Sequence, residues 1–277
     1  MKQFFKFVFA SAVGFLLSSI IILFILIGSI AVLVSSSKKQ IDVKENTILH
    51  INLNLPITER TSSNPLDDLD FGPITSEKKL GLDDILKSIK NAQNDSNIKG
   101  IYLDVSYLMT GFATIEEIRD ALIEFKKSGK FIVAYSEIYT QNAYYLASVA
   151  TKVYLNPQGY LELKGLSSEI MFLKGALDKL DIEAQIIKVG TFKSAIEPLI
   201  LDKMSDANRL QTTSLLGSLY NHITSKIAQS RKIPQDSIIS IANGLKIRSP
   251  QDALNYKLVD GLKYKDEILD DLKVKTG

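Results

Sequence analysis

Between Phe7 and Val34 the chain carries no charged side chain, only Ser11, Ser18, Ser19 and Ser29 among apolar residues. At about 1.5 Å per residue this stretch would reach roughly 42 Å as a helix, against a hydrocarbon layer of about 30 Å. The segment therefore reads as a membrane-spanning helix with room to tilt. A cleaved signal peptide has an apolar region of only about 7–15 residues ahead of a small-x-small site. This run is longer and ends on Val32-Leu33-Val34, although Ser35-Ser36-Ser37 leaves cleavage open. A buried core helix is the bland alternative, but this one would be apolar on every face at the extreme N-terminus. Lys2 and Lys6 flank one end and Lys38, Lys39 and Lys44 the other, so the positive-inside rule does not choose an orientation.

The remainder of the chain is a different material. Four of the 33 basic residues and none of the 31 acidic ones fall in residues 1–39, which leaves 29 against 31, a net charge of −2, for residues 40–277. A near-neutral body has no electrostatic footprint for DNA or RNA. The absence of cysteine excludes a thiolate nucleophile, a disulfide scaffold and any Cys-ligated zinc or iron–sulfur centre. The two histidines, His50 and His222, are far apart in sequence. A multi-His metal site is not expected, and a Ser-His-Asp triad would have to use one of them.

After a polar linker (Ser35–Glu45), Thr47–Leu55 alternates like a strand closed by Pro56. Residues 58–80 read as a long loop with an acidic cluster, Asp67, Asp68 and Asp70, whose spacing matches no EF-hand. Leu82, Ile85, Leu86 and Ile89 then fall at helical spacing, followed by an apolar strand Ile98–Val105. Ile115, Ile118, Ala121, Leu122 and Phe125 mark a second helix ended by Ser128-Gly129. Lys130–Tyr135 reads as a strand, Asn142–Ala150 as a helix, and Val153–Leu155 as a short strand stopped by Pro157. Strands alternating with helices imply βαβ units and a parallel sheet. Further on, Glu183–Val189 has strand character, and a long amphipathic helix runs from about Ser205, its N-cap, to Ser230. Two short helices come after it, near Asp236–Ala242 and Pro250–Asn255.

Both histidines sit in predicted secondary structure, which favours structural roles, and no glycine-rich phosphate loop is present. One segment stands out: Val189-Gly190-Thr191-Phe192-Lys193-Ser194-Ala195-Ile196-Glu197-Pro198. It presents Lys193 on a loop between a predicted buried strand and the long helix. A lysine acts as a general base only when neutral, and apolar burial can lower its pKa by several units. It can then take the proton of a serine hydroxyl, the Ser-Lys form of nucleophilic catalysis. On spacing alone, a solvated loop lysine is the commoner case.

Continued by Leu201-Asp202-Lys203-Met204-Ser205, this stretch resembles the lysine motif of peptidase family S49, closest to the N-terminal half of its long signal peptide peptidases. Gly129-Lys130, Tyr139 to Ser148, Tyr154-Leu155-Asn156-Pro157-Gln158-Gly159 and Leu177-Asp178-Lys179-Leu180 agree in order and spacing, so the match covers most of residues 45–265.

The resemblance implies an α/β fold of the ClpP/crotonase-like kind: repeated β-β-α units with a parallel sheet, here behind one N-terminal transmembrane helix. It implies a serine nucleophile, a lysine base and no cofactor or metal. Long members carry two copies of the fold, the lysine in the first and the serine in the second. The motif places the base on Lys193. A single-copy member would carry its serine where Gln141 stands, and the turn that would supply oxyanion donors is degenerate here, reading Val105-Ser106-Tyr107-Leu108-Met109-Thr110-Gly111. Glutamine cannot form an acyl-enzyme, so no nucleophile is expected in this chain. Ser194 adjoins Lys193, but neighbouring residues of an extended segment point to opposite faces.

The expected organisation is a membrane anchor over residues 1–39, a linker, first strand and long loop over 40–80, and the rest of the domain over 81–277. The chain is expected to be about half of a longer protein whose C-terminal half brings the serine. The family further suggests apolar signal-peptide substrates, a homotetramer and a bacterial inner-membrane location with the domain on the periplasmic face. An inactive S49-like tether or scaffold is the alternative. An acyl-CoA enzyme of the crotonase class shares the fold but fits the membrane span poorly, and fold alone does not settle function.

Overall fold

The computed structural model describes residues 2–36, 42–61 and 79–277. The expected acidic loop with Asp67, Asp68 and Asp70 lies outside them. Helix α1 (Lys2–Ser36) takes in the whole uncharged run and begins five residues before it. From Lys2 to Ser29 it is long and apolar enough to cross a membrane. Helix α1 belongs to one compact unit, and the body that begins at Glu45 is the other.

The body runs β1 (Thr47–Asn52), β2 (Ile57–Thr58), β3 (Leu80–Gly81), α2 (Leu82–Asn94), β4 (Ile98–Asp104), α3 (Phe112–Lys126), β5 (Phe131–Tyr139), α4 (Gln141–Ala147) and β6 (Lys152–Leu161). It continues with α5 (Lys174–Lys179), α6 (Glu197–Ile200), α7 (Asp206–Arg231), α8 (Gln235–Asn243), α9 (Pro250–Asn255), β7 (Gly261–Leu262) and α10 (Lys265–Thr276). Strands β1, β4, β5, β6 and β7 form one sheet in that order, and every pair is parallel. The α/β class and parallel sheet expected from the alternating periodicities are present. Strands β2 and β3 make a separate parallel pair.

Both faces of the central strands are covered, which is why they read as apolar runs. Tyr102, Val133 and Tyr135 pack with Ile268 and Leu272 of α10. Alternation sends Ile101, Leu103, Ile132 and Ala134 to the opposite face, and all four are fully buried. Helices α2 and α3 bury Ile85, Ile89, Ile115, Ile118, Leu122 and Phe125 at the expected helical spacing. Burying each such side chain is worth about 1.5–3 kcal/mol. After α3, Gly129 adopts φ +80° and turns the chain into β5, a left-handed conformation that glycine adopts without a Cβ clash.

Four expectations are corrected. The first strand ends at Asn52, three residues short of Leu55. Pro157 does not stop β6, because the pairing with β5 shifts register between Ser136 and Ile138 and then resumes at Ile138 with Tyr160. A bulge tolerates a proline that a regular ladder would reject. Gly159 makes the bulge feasible, since a Cβ there would lie 2.1 Å from the Glu137 carbonyl oxygen.

Third, Glu183–Val189 is not a strand but irregular chain. No neighbouring strand pairs its backbone among the described residues, and Ile187 and Val189 lie open to solvent. Fourth, the long helix forms with Ser205 as N-cap, its hydroxyl accepting from Asn208 N–H. It does not keep the expected amphipathic pattern along its whole length, however: Ile223, Ile227 and Ala228 pack inward, whereas Leu210 and Leu215 are exposed.

Candidate active site

Lys193 lies on the irregular strap between α5 and α6, three residues after Gly190, which has φ +96°. Its side chain is exposed. The expected buried strand before it is absent, so the described residues do not supply the apolar enclosure that a basic lysine requires. Two cavities meet at Lys193. One, of about 940 Å³, lies between Gly190–Lys193 and the exposed side of α7 at Leu210, Gln211, Ser214 and Leu215. The other, of about 530 Å³, is lined from Ile187 to Ile196 and by Gln211. Apolar side chains around them are uncovered: Ile187 is 100% exposed, Val189 82% and Phe192 55%.

The strap is tied down by a residue that the sequence pattern did not single out. Glu197 is 1% exposed. Its carboxylate accepts from the Ser205 hydroxyl at 2.6 Å, from Ser205 N–H at 3.2 Å and from Asn208 Nδ2 at 2.9 Å. The Ser205 hydroxyl bond, reinforced by the other two, holds the carboxyl below its ordinary range. The signal available in the sequence was an acid, Glu197, eight residues before an N-cap serine.

Gln141 occupies a second, separate site. It opens α4 behind Thr140, whose side chain caps the helix by accepting from Ala143 N–H. The Gln141 Oε1 accepts from Lys164 N–H at 2.8 Å, and the Gln141 N–H donates to Glu162 Oε2 at 3.3 Å. Here the glutamine is a structural ligand of the backbone after β6. Thr140 also donates through its N–H and its hydroxyl to the Ser106 carbonyl, so the degenerate turn 105–111 lies alongside. Tyr107, Leu108, Met109, Gln141 and Asn142 line a cavity of about 360 Å³ beyond the ends of β4 and β5. The structure thus brings Gln141 and the turn together, but Lys193 lines different cavities. Ser194 is half-buried, and no hydrogen bond joins its side chain to that of Lys193.

The histidines have structural settings. His50 stacks on Tyr102 with ring centres 4.9 Å apart and faces Asp104 at 3.5 Å, an acid that also takes a 2.8 Å ion pair from Lys265. His222 meets Glu116 at 3.2 Å, and Glu116 in turn accepts from the Tyr145 hydroxyl. Among the described residues there is no cluster of three or more side chains suited to hold a metal ion.

Comparison with known proteins bears on this lysine-bearing architecture. A family model described as peptidase family S49 matches residues 124–277, from the end of α3 through Lys193 to α10. The chain is 36% identical over 163 residues to Protease 4 of Haemophilus influenzae, covering 58% of this chain and 26% of that protein. It is 37% identical over 187 residues to Protease 4 of Salmonella typhi, covering 65% and 30%. The chloroplastic serine protease SPPA of Arabidopsis thaliana is 30% identical over 200 residues, covering 72% and 29%. The chain thus spans less than a third of the length of these relatives. The parallel sheet fits the ClpP-like fold of that family, and the matched region holds the whole segment around Lys193: the chain belongs to peptidase family S49.

Proposed function

We propose that this chain is the lysine-bearing part of a membrane-anchored serine peptidase of the Ser-Lys type. The observation that carries the reading is the setting of Lys193. The family's lysine motif lies on an exposed strap amid uncovered apolar side chains, and the position where a serine would stand holds Gln141, bonded into the fold. A strap of this kind calls for a covering partner. In our reading that partner is the C-terminal half of the same protein, which brings the serine and encloses the amine.

Within that enclosure the neutral amine of Lys193 takes the serine proton as the hydroxyl oxygen attacks the scissile carbonyl. The resulting ammonium then protonates the leaving amine and leaves an acyl-enzyme for water to hydrolyse. The isolated chain would be inactive. Apolar side chains beside Lys193 suit apolar signal peptides as substrates, and α1 suits a single-pass anchor in the bacterial inner membrane with the body on the periplasmic face. Assembly into a homotetramer completes the reading.

The test is Lys193→Ala in the complete protein, assayed on a fluorogenic apolar peptide. The expected result is loss of peptidase activity with assembly intact. Undiminished hydrolysis would overturn the assignment of Lys193 as the base.

A further inference from the structure

From Lys164 to Ala207 the chain carries Lys193 across the surface, and throughout that stretch Glu197 is the single buried residue. It is a carboxylate, the kind of group least suited to burial unless hydrogen-bonded on several sides. Three donors from Ser205 and Asn208 meet that need. Asn208 is itself 5% exposed, and Ser205 is the N-cap of α7, where the helix end favours a negative charge. An apolar side chain could fill the same space, but it would not fix the direction of the chain. A carboxylate accepting three bonds does.

Two further bonds carry this orientation back to the lysine. Glu197 N–H donates to the Ser194 carbonyl at 3.0 Å, closing the turn that follows Lys193. Leu173 N–H donates to the Pro198 carbonyl at 2.7 Å, which ties the start of α5 to the same point. No hydrogen bond or ion pair joins Glu197 to Lys193, so the acid reaches the lysine only through the backbone between them.

We propose that Glu197 is the positioning residue for Lys193: it pins the strap to the N-terminus of α7 and so sets where the amine stands. This inference rests on Lys193 being the general base. The experiment compares Glu197→Gln with Lys193→Ala in the complete protein, measuring kcat, KM, thermal midpoint and the rate of labelling by a fluorophosphonate. Glutamine keeps the shape but puts an N–H₂ in place of one acceptor oxygen, so at least one of the three bonds from Ser205 and Asn208 is lost or reversed.

For Glu197→Gln the expected result is a kcat lower by roughly 10²-fold, the scale of an ångström-sized misplacement, with KM within about twofold and labelling slowed in parallel. A kcat equal to wild type in a folded Glu197→Gln protein, with Lys193→Ala inactive, would overturn the positioning role alone. Activity in Lys193→Ala would overturn the underlying reading instead. If Glu197→Gln fails to fold, Asn208→Ala removes one donor and leaves the carboxylate in place. It should lower kcat several-fold without changing KM, and a wild-type kcat there would equally refute the proposal.

Discussion

Arg119 lies in the middle of α3 at 1% exposure, and replacing it measures what a buried charge contributes to holding α7. Its Nη2 donates to the Lys226 carbonyl at 2.9 Å and to Ser230 Oγ at 2.8 Å, and its guanidinium sits 4.6 Å above the Tyr145 ring. Two charge-assisted bonds at about 1.5–3 kcal/mol each and a desolvated cation–π contact of about 2 kcal/mol favour the folded state. Against them stand Nε and Nη1, buried without partners, at about 1–3 kcal/mol each. The desolvation of the charge itself adds several kcal/mol more. The two sides nearly cancel.

Arg119→Met, which removes charge and bonds together and keeps most of the volume, should therefore change stability by no more than about 2 kcal/mol. Arg119→Ala removes the same groups and leaves a cavity beside Tyr145, which adds roughly 2–5 kcal/mol. At about 2–4 °C per kcal/mol for a body of this size, the alanine variant should melt roughly 4–20 °C below the methionine variant. Thermal unfolding of the complete protein in detergent, followed by tyrosine near-ultraviolet signal, reads both. A methionine variant that melts far below the wild type would refute the reasoning, because the guanidinium bonds would then outweigh the cost of burying the charge.

Two further outcomes rest on the same kind of accounting. Asp260 is partly buried, which pushes its pKa up, but bonds from Arg231 at 3.0 Å and from Val153 N–H at 2.8 Å pull it further down, below its ordinary value. Its folded pKa lies below the unfolded one, so its contribution is complete above roughly pH 4 and is lost as pH falls through the folded value. Asp260→Asn should flatten that part of the acid limb of a stability–pH curve, and an unchanged limb would count against it. Gln141→Ser should create no second reactive serine, because Lys193 lines other cavities; it should also lower stability by about 1–3 kcal/mol through the unpaired Lys164 N–H. Fluorophosphonate labelling of the variant protein at position 141 would contradict this.

The elements that could be read in advance share one property: their information is local. Helix α3 announces itself because Ile115, Ile118, Leu122 and Phe125 recur at helical spacing and the same residues are buried. Ser205 caps α7 through a bond three residues away. The errors have the opposite character. Pro157 looked like a strand terminator because its effect depends on a bulge in β5 and on Gly159 approaching Glu137, contacts made across the sheet. Glu183–Val189 has the composition of a strand, but a strand also needs a paired neighbour, which composition does not reveal. Nothing local marks Glu197 for burial, because its role lies in Ser205 and Asn208 converging on it.

By itself, the sequence determined the apolar helix at the N-terminus, the alternation of strands and helices that makes a parallel sheet, and the motif around Lys193. Each of these depends on residues close together in the chain, through periodicity, capping and the solvation of apolar groups. Tertiary structure alone decided that Gln141 is bonded into the backbone, that Lys193 and the turn 105–111 line different cavities, and that a buried carboxylate holds the lysine strap. Those facts depend on which distant groups satisfy one another's hydrogen bonds and cover one another from water, and only the folded arrangement of the chain settles that.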